Sequence, residues 1–171
     1  MKLPIGVTIG LIAGVIFSTA WFLMAKSMGF YNVNVYVYMY CMIALLIPLG
    51  VIFSIILTKR RNGGLLEFKQ ALQAGMLYSL VFGIIVATFN FIYYKFITPD
   101  TIDYFVADAK KYVETVMKVK PEDVPKYLDA ERAKFGSFRM IPPTLFWGLI
   151  VSLITGALAQ KKPQNTTFSE N

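Results

Sequence analysis

The chain has 171 residues, 56% of them hydrophobic, and a mean hydropathy of +0.56, which excludes a soluble domain of ordinary composition. Seventeen lysines and arginines against ten acids give a net charge of +7, with no histidine and one cysteine, Cys41. Those counts exclude an intrachain disulfide and a multi-thiolate metal site, and remove the commonest general base and metal ligand.

Four apolar runs carry the hydropathy: residues 5–25, 35–58, 71–94 and 141–159. At about 1.5 Å per residue each helix reaches about 30 Å, the thickness of the hydrocarbon core. None contains an acid, and basic residues sit at their ends. The predicted fold is all-α: a polytopic membrane protein of four transmembrane helices, one membrane domain over 1–171, with a long amphipathic-helical loop between the third and fourth helices.

The first run begins like a secretory signal, with Lys2, an apolar core and Ser18-Thr19-Ala20. It continues through Trp21-Phe22-Leu23-Met24, however, and carries Gly6, Gly10, Gly14 and Ser18 at a spacing of four. That spacing puts small residues on one stripe of a helix, which a discarded peptide would not need. Lys26 marks the boundary of the span. After a turn over 27–34, Val35 to Tyr40 alternates with period two, which reads as a strand in water. An unpaired strand would leave its backbone unsatisfied in a membrane, so Tyr36, Tyr38 and Tyr40 read as an aromatic belt on a second helix. Pro48 frees the carbonyl of Ala44 and predicts a kink.

Lys59, Arg60 and Arg61 form the densest basic cluster and face lipid head groups or set orientation. Gly63-Gly64 makes a turn, and residues 65–70 read as a short amphipathic segment in the interface. The third run is the centre of the predicted bundle, with Ala71, Gly75, Ser79, Gly83 and Ala87 four apart. It leaves through Phe89, Phe91, Tyr93, Tyr94 and Phe96.

Residues 95–139 hold nine basic and eight acidic side chains. Thr98-Pro99-Asp100 fits a helix start, and Ile102, Phe105, Val106, Ala109, Tyr112, Val113, Val116 and Met117 trace one apolar face. Pro121 and Pro125 interrupt it. Val124, Tyr127, Leu128 and Phe135 suggest a second helix stopped by Gly136. Two such helices bury little by themselves, so they lie on the membrane surface, over the bundle mouth, or against a partner. Pro142-Pro143 opens the fourth span, with Thr144, Gly148, Ser152 and Gly156 four apart. Lys161-Lys162 ends it, and 160–171 reads as a disordered tail in which the formal glycosylation acceptor Asn165-Thr166-Thr167 is a chance match.

Basic residues next to the spans favour both termini in the cytoplasm and the 95–139 loop outside. The charge flanks apolar runs, so it speaks for lipid and against nucleic acid. The third span and its flanks resemble an uncharacterised integral-membrane family found mainly in Bacteroidetes-type bacteria, domain of unknown function 4199. The residues that carry the likeness are Gly64, Phe68, Ala71 and Gly75, then Tyr93, Tyr94, Phe96, Ile97, Pro99 and Asp100. The layout of four spans with one long loop is similar too. The resemblance implies an inner-membrane protein and brings no reaction, ligand, cofactor or catalytic residue with it.

The residues themselves offer no catalytic, cofactor or metal constellation. Gly63-Gly64 lacks the lysine of a phosphate loop, and Glu122-Asp123 reads as a solvated helix start. Asn90 is the most polar side chain near a span centre, suited to a ligand or to a hydrogen bond with a neighbouring helix. Two functions remain. The first is a non-enzymatic accessory or scaffold subunit that meets a membrane or periplasmic protein, or another copy of itself. The second is a small oligomeric transporter or lipid-handling protein using Pro48, Asn90 and the tyrosine-rich mouth.

Overall fold

The computed structural model describes residues 3–135, 139 and 141–161. Lys2, Gly136, Lys162, the Asn165 acceptor and all of the expected disordered tail 160–171 except Gln160 and Lys161 lie outside the described residues. Six α-helices account for most of the described residues. α1 is Ile5–Met28, α2 is Val33–Arg61, and α3 is Phe68–Ile92, which widens into a five-residue π-helical segment, Tyr93–Ile97. α4 is Asp100–Thr115, α5 is Val124–Lys134, and α6 is Ile141–Ala159. α1, α2, α3 with its π segment, and α6 are each long and apolar enough to cross a membrane. Their outward faces suit hydrocarbon: Leu158 is 83% exposed and Leu45 62%. A water-facing bundle would not present so much apolar surface.

α1 stops at Gly29, whose φ of +95° disfavours a side chain. Asn32 then starts α2, its Oδ1 accepting from the Asn34 N–H at 2.9 Å. α2 runs unbroken through Pro48. The strand-like alternation of Val35 to Tyr40 is helical, because each of these residues satisfies its backbone within the helix.

α3 is the hub, touching α1, α2 and α6, whereas α1 and α6 do not touch each other. Its small-residue stripe meets α6 in antiparallel register. A Cβ built on Gly75 collides with the Ser152 hydroxyl, and one built on Gly148 collides with Ser79. Gly83 faces Thr144, and a Cβ built on Gly156 would lie 3.2 Å from the Ala71 Cβ. Each step of four along α3 is thus matched by a step of four back along α6. The hydroxyls bond within their own helices: Ser79 Oγ donates to Gly75 O at 3.0 Å, and Ser152 Oγ to Gly148 O at 2.6 Å. The seam is therefore held by close packing, with interhelical hydrogen bonds playing no part in these pairs.

The stripe of α1 reaches a different face of α3. Gly6 lies against the backbone of Ala74 and Tyr78; Gly10 meets Tyr78 O and Val81, and Gly14 meets Ile85. Ser18 continues that stripe, and Ala87 is buried on α3. On the side facing α2, Tyr78 is fully buried and its hydroxyl donates to Leu46 O at 2.8 Å. A Cβ on Gly50 would strike the Tyr78 ring. Tyr78 thus fastens α3 to α2 beside Pro48.

Residues 65–70 do not form a separate interfacial helix. Leu66 is 1% exposed and pairs with Lys161 in an isolated antiparallel bridge, with N–H···O distances of 3.0 and 2.9 Å. Extended backbone wins at Leu66 because the chain leaving α6 offers it a partner. α3 then begins at Phe68, where Gln70 reaches back to the Glu67 N–H at 3.2 Å.

Gly75→Leu or Gly148→Leu should lower bundle stability in detergent by about 1–3 kcal/mol, the usual cost of overpacking. Leu153→Ala on the outer face of α6 should change the melting temperature far less. Equal shifts in all three would overturn the seam as the main contact.

Candidate functional site

The most elaborated region lies where α3 ends and the α4–α5 hairpin begins. In the π segment, the Thr98 N–H donates to Tyr93 O at 2.9 Å. The wider turn inserts a residue and re-aims the side chains, a device common at functional sites. Tyr93 is fully buried and Tyr94 is 8% exposed, although the two are adjacent. Trp21 of α1 packs between them and Phe89, with ring centroids 5.1 Å from Tyr93, 5.2 Å from Phe89 and 6.4 Å from Tyr94. Trp21 Nε1 is buried with no partner among the described residues.

The hairpin is joined to this mouth by two phenylalanines. Phe105 of α4 meets Tyr36 of α2 edge-on at 4.8 Å, and Phe135 at the end of α5 meets Tyr94 at 5.2 Å. Phe105 and Phe135 stack on each other at 5.9 Å. Arg132 donates to Asp103 at 2.9 Å and ties the two helices at the same level. The base of the hairpin therefore sits over the bundle. Its far end is open: Tyr112, Val116 and Met117, read as part of one apolar face, remain exposed, while Val106 and Val113 of that face are buried.

The other sequence-derived candidates lie elsewhere. Asn90 is 5% exposed on α3, one turn before Tyr93 and Tyr94, and lines none of the cavities described here. Pro48 lines an apolar groove of about 550 Å³ between α2 and α6, together with Tyr40, Ile43, Thr144 and Trp147. Asn90 and Pro48 thus share no described cavity. Lys59 is turned inward, its Nζ donating to Ala159 O at 2.8 Å, the last carbonyl of α6. Arg60 and Arg61 are exposed at that end. Among the described residues, no group of three or more histidines, cysteines or acids is placed to hold a metal ion.

Sequence reasoning missed Tyr78, Gly50 and the joint made by Phe105 and Phe135. The spacing of Gly50 two residues after Pro48 was a signal for a close approach. Phe105 and Phe135 were assigned only to apolar helix faces, since nothing local joins residues 30 apart.

Residues 8–161 match the family described as protein of unknown function (DUF4199). The chain belongs to this family. The match runs from within α1 to the bridge residue Lys161, so the bundle, the π segment and the hairpin all fall inside it. No curated protein and no solved structure matches the chain. The family description carries no activity, and the chemistry of this DUF4199 protein has to be argued from its own residues.

Replacing both Phe105 and Phe135 by alanine should free the hairpin without unfolding the bundle. Each aromatic pair contributes about 0.5–1.5 kcal/mol, so amide protection in α4 and α5 should fall by about tenfold or more. Hydrogen exchange that rises equally in α1 and α3 would show that the joint supports the bundle itself.

Proposed function

We propose that this protein is a multi-pass protein of the bacterial inner membrane, with both termini in the cytoplasm, and serves there as a non-enzymatic accessory or scaffold subunit. The observation that carries this reading is the hairpin: fastened at its base by Phe105 and Phe135, it leaves Tyr112, Val116, Met117 and Tyr127 exposed at and towards its far end. Lys111, Lys118, Lys120 and Lys126 are interleaved with them. Glu114, Glu122 and Asp123 lie among these lysines, and Lys120 pairs with Glu122 at 3.8 Å. Apolar residues raised on a fixed arm, with a mixed-charge surround, form a surface for a protein partner outside the membrane. The orientation follows from Lys59, Arg60 and Arg61 at the opposite end of the bundle, next to two spans.

A photo-crosslinker at Val116 or Met117 in intact cells should give a discrete adduct with one protein species. The same group at Ile154, on the exposed face of α6, should give lipid or diffuse adducts. Identical patterns at all three positions would overturn the scaffold reading.

The Pro48 groove favours a second reading, a lipid-handling protein. Its lining is almost wholly apolar, and the hydroxyl of Thr144 is already bonded to Ile141 O at 2.8 Å. Such a groove suits an uncharged chain. Trp147→Ala should then reduce co-purifying lipid in gentle detergent, and unchanged lipid content would remove this reading.

A further inference from the structure

At the end of the bundle opposite the hairpin, a cavity of about 350 Å³ opens between the start of α1, the end of α2 and the first turns of α3. Arg61, Asn62, Gln70 and Gln73 line it at the helix ends that form its rim, and Ala74 and Leu77 line it further along α3. The orientation of the Gln70 amide is forced by chemistry. The atom that accepts from the Glu67 backbone N–H must be the oxygen, and the Asn62 side chain donates to that same atom at 3.2 Å. The Gln70 NH₂ group is therefore left to donate elsewhere. Arg61 adds a guanidinium, and the ion pairs identified among the described residues all lie in the α4–α5 hairpin. Glu67, the nearest acid in sequence, does not line the cavity.

A rim that carries one guanidinium and the uncommitted NH₂ of Gln70 favours an anion, and the planar fork of arginine suits a phosphate. Leu77 lies seven residues beyond Gln70 on α3, about 10 Å along the helix. The lining thus changes from donors to hydrocarbon in the direction that a phospholipid changes. An inorganic phosphate would use only the rim.

We propose that this cavity holds the phosphate group of an anionic membrane lipid, with Arg61 and the Gln70 amide as its ligands and Ala74 and Leu77 against the glycerol end of the acyl chains. The basic run is divided by this assignment. Lys59 caps α6, Arg60 stays outside the cavity, and Arg61 binds.

The test uses the full-length protein, purified in mild detergent and exchanged with phosphatidylglycerol or phosphatidylcholine, with retained lipid counted by native mass spectrometry. Phosphatidylglycerol should be retained over phosphatidylcholine, and Arg61→Gln should cut that retention about tenfold. Arg60→Gln should change it less than twofold. Gln70→Glu keeps the oxygen that serves Glu67 and Asn62 while replacing the donor by a negative charge, so it should lose the lipid with an unchanged melting temperature. Equal losses for Arg60→Gln and Arg61→Gln would mean diffuse surface charge and would overturn the site. Retention unaffected by Gln70→Glu would also overturn it. Binding of inorganic phosphate alone, abolished by Arg61→Gln and indifferent to lipid, would overturn the lipid assignment and leave a free-phosphate site.

Discussion

Helices in hydrocarbon gain nothing from leaving water, so their association depends on how closely their surfaces can approach. In this protein that constraint is met along the seam between α3 and α6. Ser79 occupies the space that Gly148 leaves, and Ser152 occupies the space that Gly75 leaves. The arrangement works because both hydroxyls are already satisfied by the preceding turn of their own helix. They behave as small side chains with no unmet demand across the interface. α1 then joins a different face of α3, where its glycines accept the backbone around Ala74 and Tyr78.

Along α3 the packing material changes. Small residues prevail from Ala71 to Gly83, and large rings take over from Phe89 to Tyr94. The rings form a nearly continuous column: Tyr78 stacks on Phe82 at 5.7 Å, Phe82 meets Phe17 at 5.9 Å, and Phe17 meets Trp21 at 6.1 Å. From Trp21 the column passes through Tyr94 to Phe135 and Phe105. Beyond Gly83 the rings fill the space between α1, the end of α3 and the hairpin. The hairpin seats where that volume reaches the surface.

The four spans, the small-residue stripes and the two loop helices were legible in the sequence because each rests on local period or composition. What escaped were pairings between distant segments. Leu66 reads as part of an amphipathic stretch, and only the chain leaving α6 turns it into a bridge residue. The π segment was invisible because Tyr93-Tyr94-Lys95-Phe96-Ile97 has no composition that separates π from α. Gly50 and Tyr78 illustrate the same limit. Each is ordinary in its own helix, and their meaning arises only when α2 and α3 come together.

The basic run at the end of α2 shows how helix geometry divides one cluster into several roles. Successive helical residues are separated by about 100°, so Lys59 and Arg61 point to nearly opposite sides of α2. Lys59 turns towards α6 and supplies a positive charge where that helix leaves carbonyls without partners, which favours the end of its dipole. Arg61 turns towards α1 and α3. A count of flanking charges treats the two alike, yet Lys59 is bonded within the protein. Arg60 stays exposed, whereas Arg61 lines the cavity between those helices. The fastening of α6 and the polar end of the cavity between α1 and α3 therefore draw on one short segment.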